Sequence, residues 1–221
     1  MRLPRVAMVD DSIVIPPAAG GGAVEVRRGP NILPIPSFGP LPSRAAGEVV
    51  LKAGDDITTD HIIPGGAALL SLRSNIPANV PYLFRRVDPG FPARAQAAGG
   101  GLIVAGDNYG QGSSREHAAL VPRSIGIWAI LARSFARIHR ANLINFGILP
   151  LLFQDPSDYD RVQQGERWVL EDAHQLVRSG SGHLANETSG ASIPVRCALT
   201  EREQEVLLAG GLLNHARSLT S

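Results

Sequence analysis

The sequence predicts an α/β fold with a mostly parallel sheet core and flanking helices, preceded by an extended arm. Two observations carry this. Short apolar runs at 49–51, 101–105, 127–132 and 148–153 alternate with segments that open on helix-capping residues. That alternation favours parallel strands joined by right-handed crossovers. Ahead of them, Pro16-Pro17, Gly20-Gly21-Gly22 and the prolines from Pro30 to Pro42 make a helix-breaking stretch.

The arm is expected over residues 1–46 and a single domain over 47–221, with Ile13-Val14-Ile15 offering at most an edge strand. Glycines bound the run Gly101–Ala105, which therefore reads as a buried strand. Ser113 and Glu116 fit the Ser-x-x-Glu capping box, so a helix should open there, run through Leu120 and be limited by Pro122. After Ile127–Ala132, Ser134 should cap a helix over about 135–146 that Gly147 stops. Residues 156–195 read as loops and short strands. Thr200 and Glu203 form a second capping box, opening a helix that Gly210-Gly211 should end.

Composition narrows the function classes. A hydrophobic content of 44% and a charged content of 19% over 221 residues describe a folded globular chain. A formal net charge of +1 gives no electrostatic footprint for nucleic acid or a membrane surface. No 18-residue apolar run exists, and Met1–Val6 lacks the apolar core of a signal peptide, so the cytoplasm is the expected location. Cys197 is the only cysteine. It can form no intrachain disulfide, and it cannot alone supply the three or four thiolates of a [4Fe–4S] cluster.

Two segments carry chemistry. Asp107-Asn-Tyr-Gly-Gln-Gly-Ser-Ser-Arg-Glu-His117 packs adjacent hydroxyls, a guanidinium and a carboxylate between a strand and a helix. If the capping box forms, Ser113 and Ser114 lie at a helix N-terminus that favours an anion. Arg115 can hold a carboxylate through two parallel hydrogen bonds. Upstream, Gly54-Asp-Asp-Ile-Thr-Thr-Asp-His-Ile-Ile-Pro64 follows a strand. Asp60 and His61 there suit a carboxylate–imidazole pair for proton handling; a turn capped by Asp60 with a solvated His61 fits equally on local grounds. Both loops follow strands, where ligand sites of parallel sheets lie.

These two motifs, with the run from Arg133 to Leu151, resemble the C-terminal swivel domain of the aconitase family, from about Val6 to Ala216. The Gly-Ser-Ser-Arg-Glu-His core is also similar to isopropylmalate isomerase small subunits, taken as more distant relatives. The resemblance implies a swivelling β/β/α domain of a hydro-lyase that interconverts citrate and isocitrate through cis-aconitate. It implies Ser113 as the base, Ser114 and Arg115 as its hydrogen-bonding and carboxylate-binding neighbours, Asp60 as an orienting carboxylate with His61 beside it, and Arg73 as a substrate-carboxylate ligand. It further implies a [4Fe–4S] cluster held by other domains or a large-subunit partner, with a small tricarboxylate as substrate. The chain is then a small subunit or part of a fused or split enzyme, inactive alone. An isopropylmalate or homoaconitate substrate and a non-catalytic RNA-binding module are the alternatives.

Overall fold

The structure is a computed structural model describing residues 12–17, 19–23 and 25–220. The start of the expected arm, including Met1–Val6, lies outside the described residues. The chain divides into two compact units, residues 1–30 and 31–221. Among its described residues the first unit holds only a 3-10 turn at Gly21–Ala23.

In the second unit seven strands close a barrel: β1 (Ala45–Lys52), β2 (Gly101–Ala105), β3 (Ile127–Ala132), β4 (Leu149–Phe153), β5 (Arg167–Leu170), β6 (Ser181–Asn186) and β7 (Ser192–Arg196). The four expected strands are present, and β1–β2, β2–β3 and β3–β4 pair in parallel. The sheet is nevertheless not mostly parallel. The order β1-β2-β3-β4-β7-β6-β5 closes through four antiparallel ladders, β4–β7, β7–β6, β6–β5 and β5–β1. The closing strands are short and partly exposed, and they contain Gly182 and Pro194, so their strand signal is weak.

Burial of β2 and β3 on both faces explains their unbroken apolar runs. Along β2, Leu102 and Val104 join a core to which all seven strands contribute, with Trp168, Leu184 and Val195, as barrel-interior residues do. Ile103 and Ala105 join a second core with Phe84, Phe91 and Ala119, between the sheet and its helices. Residues 31–44 lie along this unit, with the Leu33 N–H bonded to Ser74 O and the Leu41 N–H to Leu208 O.

The helices are α1 (Thr59–Ile62), α2 (Ile76–Asn79), α3 (Phe91–Ala97), α4 (His117–Ser124), α5 (Arg137–Asn145), α6 (Ala173–Ser179), α7 (Glu201–Leu208) and α8 (Leu212–Ser218). Three local expectations are corrected. The helix after the serine loop begins at His117 with Glu116 at its N-cap and no side-chain cap bond, so Ser113 caps nothing. That helix also passes through Pro122 and ends two residues later. Ser134 does not cap α5, whose N-cap is Ala136; its hydroxyl donates to Asp107 Oδ1 and accepts from the Asn108 N–H instead. The Thr200–Glu203 capping box forms as expected, and Gly147 follows α5 with φ +71°. Among the described residues, no helix is long and apolar enough to cross a membrane.

Candidate active site

The parallel ladder does not stop at the strand ends. Past β1 and β2 the two polar loops continue side by side: the Asp56 N–H bonds Asp107 O, the Gly110 N–H bonds Ile57 O and the Thr59 N–H bonds Gln111 O. Past β3, the Tyr109 N–H bonds Ser134 O and the Ala136 N–H bonds Tyr109 O. The two suspected loops are thus neighbours beyond the carboxyl ends of adjacent parallel strands, where such sheets place ligands.

Asp60 and Arg115 join the loops. Arg115 Nη1 donates to Asp60 Oδ1 at 2.5 Å and Nη2 to Oδ2 at 3.3 Å, while Nη1 also reaches Ile63 O at 3.2 Å. The Gly65 N–H adds a 3.1 Å bond to Asp60 Oδ1. The Arg115 hydrogen bond holds the Asp60 carboxyl below its ordinary range. An ionised carboxylate committed to a guanidinium is a poor proton acceptor, so Asp60 orients Arg115. The guanidinium lies against Gly65, where any Cβ would overlap it.

His61 is occupied locally. Its Nδ1 accepts the Thr58 N–H at 3.1 Å, and Thr58 Oγ1 accepts the His61 N–H at 3.1 Å, a reciprocal cap of α1. The pairing of Asp60 with His61 is therefore replaced by Asp60 with Arg115. With Nδ1 serving as an acceptor, Nε2 is the ring nitrogen left to donate.

Arg73, Ser114 and Arg115 line one cleft of about 170 Å³, together with Ile63, Leu69, Leu70 and Asn79. Ser113 is exposed at the next position along the loop and is not among the lining residues. Among the described residues, the Gly112, Ser113 and Ser114 N–H groups have no hydrogen-bond partner and remain available as donors. They replace the helix N-terminus expected from the sequence as the local anion-favouring feature.

The chain's residues do not fit an iron–sulfur cluster. Cys197 is buried, burial pushes its thiol up to about 12, and no group of three His, Cys, Asp or Glu side chains is placed to hold a metal among the described residues.

Comparison with known proteins gives the family and the fold. The family model described as the aconitase C-terminal domain matches residues 91–156, from α3 to just past β4 and including the serine loop. The 3-isopropylmalate dehydratase small subunit 2 of Archaeoglobus fulgidus is 40% identical over 166 residues, covering 75% of this chain and 91% of the relative. The chain belongs to the aconitase family. A crystal structure of 3-isopropylmalate dehydratase from Methanocaldococcus jannaschii superposes with a TM-score of 0.66 at 30% identity, covering 80% of this chain and 95% of that one. A putative mitochondrial aconitate hydratase of Aspergillus fumigatus is 32% identical over 96% of this chain, which spans only 31% of that protein. Likeness to small subunits thus reaches well beyond the Gly-Ser-Ser-Arg-Glu-His core.

Of three neighbours of the site, His117 closes the serine motif already read from the sequence, whereas Asn79 and Gly65 escaped sequence reasoning. His117 Nε2 lies 2.8 Å from Arg73 O and ties the Arg73 turn to α4. Asn79, 2% exposed, donates from Nδ2 to Leu72 O and Asn75 O, both at 2.8 Å, fixing the same turn. Gly65 gives room to Arg115. Asn79 left no sequence trace, and Gly65, within Pro64-Gly65-Gly66, reads as part of an ordinary turn.

Proposed function

We propose that this chain supplies the proton-abstracting and carboxylate-binding half of a dehydratase active site. Its substrate is a small hydroxy-polycarboxylate, read as citrate or isocitrate passing through cis-aconitate. The convergence of Arg73, Ser114 and Arg115 on one cleft, with Arg115 oriented by Asp60, carries the reading. A cleft of about 170 Å³ falls below the roughly 300–1,000 Å³ of complete ligand pockets, which suits a site whose other wall comes from elsewhere.

Removing water from such a substrate requires a base for the carbon-bound proton. Ser113 Oγ takes that role. A serine hydroxyl is far too weak an acid to act unaided, so its anionic form needs nearby donors. The unbonded N–H groups of Gly112 and Ser114 and the Arg115 charge are the ones this chain offers. Arg73 and Arg115 bind substrate carboxylates through their planar donor forks, and Ser114 adds a hydroxyl donor. Asp60 keeps Arg115 in place, with His61 bracing α1 behind it. The Lewis acid that stabilises the leaving hydroxyl, a [4Fe–4S] cluster in this reading, belongs to a large-subunit partner or to further domains, and the chain alone turns over no substrate.

A second reading has its own support. Leu69 and Leu70 in the cleft would suit the alkyl group of isopropylmalate, and the Archaeoglobus relative is named for that substrate. Two cations in the cleft favour the tricarboxylate. The deciding experiment combines the chain, under anaerobic conditions with iron and sulfide, with a cluster-bearing large subunit of the family. Citrate, isocitrate and 3-isopropylmalate are then assayed side by side. Turnover of a tricarboxylate that Ser113→Ala lowers by about 10²-fold or more supports the reading. Normal turnover by the isolated chain, or by the Ser113→Ala assembly, rejects it.

A further inference from the structure

Under the serine loop lie two buried side chains whose polar atoms bond nothing. Among the described residues, five buried side-chain nitrogens and oxygens lack a hydrogen-bond partner, and three of the five are Thr59 Oγ1, His139 Nδ1 and His139 Nε2. Both residues are 1% exposed. Each meets the loop at a glycine. A Cβ on Gly110 would overlap the His139 imidazole, and one on Gly112 would lie 3.2 Å from Thr59 Oγ1. The two glycines hold φ angles of +83° and +115°, backbone that other residues rarely adopt.

The loop's anchoring changes between these glycines. Gly110 is fixed through its N–H to Ile57 O at 2.6 Å, and Gln111 through its carbonyl to the Thr59 N–H at 2.9 Å. Beyond Gln111 the anchoring thins: among the described residues nothing bonds the N–H groups of Gly112, Ser113 and Ser114, the Arg115 N–H bonds only Ser113 O at 2.8 Å, and the Arg115 side chain ties the chain down to Asp60. A buried polar atom without a partner is costly, and native chains keep few of them. Thr59 Oγ1 lies beneath Gly112, and His139, with both nitrogens unpartnered, meets Gly110 through its ring carbons; these unpaired atoms border a loop stretch whose exposed N–H groups bond no described residue, which leaves room for a second arrangement.

We propose that Thr59 and His139 are positioning residues for the serine loop. When a substrate carboxylate seats in the cleft, the loop backbone turns about Gly110 and Gly112 onto the Thr59 hydroxyl and the His139 imidazole. Those bonds then fix Ser113 Oγ in its working position. A neutral imidazole offers one donor and one acceptor, and a hydroxyl offers both, so either an N–H or a carbonyl of the loop can be taken up. Tyr109 packs its ring 5.4 Å from His139, which holds the imidazole in place meanwhile. The inference rests on the reading of Ser113 as the base.

The test uses Thr59→Val, which keeps the side-chain shape, with His139→Leu and His139→Gln. In the free full-length chain, removing atoms that bond nothing should leave the urea midpoint unchanged or raised. In the reconstituted assembly, Thr59→Val and His139→Leu should lower kcat on the order of 10- to 100-fold with KM little changed, because a misplacement of about 1 Å has that effect on rate. His139→Gln should restore most of kcat. Amide exchange at residues 112–114 should slow when tricarballylate is added to the wild-type assembly and stay fast in His139→Leu. Unchanged kcat in both variants, or a clear loss of stability in both free chains, overturns the proposal. If Ser113→Ala leaves turnover intact, the base reading fails separately, and the exchange measurement still decides whether these residues hold the loop.

Discussion

Substituting Gly65 by alanine isolates the role of the Asp60–Arg115 pair. Backbone strain does not enter, since Gly65 has no positive φ. A methyl group there would stand 2.7 Å from Arg115 Nε and nearer still to Cζ, whereas ordinary contact begins near 3.4 Å. The guanidinium must therefore withdraw by about 1 Å, enough to break a bidentate pair now at 2.5 and 3.3 Å. Stability should barely change. The Asp60 side chain is 53% exposed, and ion pairs this accessible contribute about 0–1 kcal/mol. Rate should change much more, on the order of 10²-fold in kcat/KM of the reconstituted enzyme, because Arg115 would be displaced by a distance that matters for orientation. A second readout needs no turnover: the carboxyl of Asp60, depressed mainly by its Arg115 hydrogen bond, should titrate closer to its ordinary value of 3.8 in Gly65→Ala. The stability that this group contributes is present above its unfolded-state pKa and fades as pH falls through the lower folded value, so the variant should lose less on acidification. Carbon-13 titration of the aspartates and steady-state kinetics check both. An Asp60 titration and a kcat/KM both indistinguishable from wild type would refute the packing argument.

Two further outcomes follow from burial. His139 is pushed down to about 4 by desolvation, against 6.5 when free, so the unfolded chain takes up a proton that the fold resists, and stability should fall by about 3 kcal/mol as pH drops from 6.5 toward 4; the urea stability of wild type minus His139→Gln, whatever its value at pH 7, should fall by that amount between pH 7 and 4, and a flat difference would contradict it. Cys197, 1% exposed with its thiol raised to about 12, should resist a disulfide-exchange reagent at pH 8 in the native chain and react with one equivalent in denaturant, a contrast read by thiol absorbance.

The parts of this fold legible in the sequence are those decided by near neighbours. Gly101–Ala105 and Ile127–Ala132 announce themselves because strands buried on both faces need every position apolar. The Thr200–Glu203 cap is a contact across three residues, and the motif specifies it completely. The same motif misled at Ser113. Local pattern offered a cap, but Arg115 reaches across the cleft to Asp60 and the helix starts at His117. A long-range charge pair and the left-handed backbone of Gly110 and Gly112 are not visible in four residues of sequence. Barrel closure escaped for a related reason. Strands such as Ser181–Asn186 carry little apolar signal of their own and become strands through pairing with partners far along the chain.

The sequence by itself therefore determined the parallel core, the two polar loops at its carboxyl edge, the family and a cysteine count too small for a cluster. Tertiary structure decided how those loops divide the work. It paired Asp60 with Arg115, committed His61 to a cap, gathered Arg73, Ser114 and Arg115 around one cleft and set Thr59 and His139 under the serine loop. The physical reason is range. Capping and strand burial are properties of adjacent residues, whereas a guanidinium's partner and a buried atom's lack of one depend on segments brought together only when the sheet assembles.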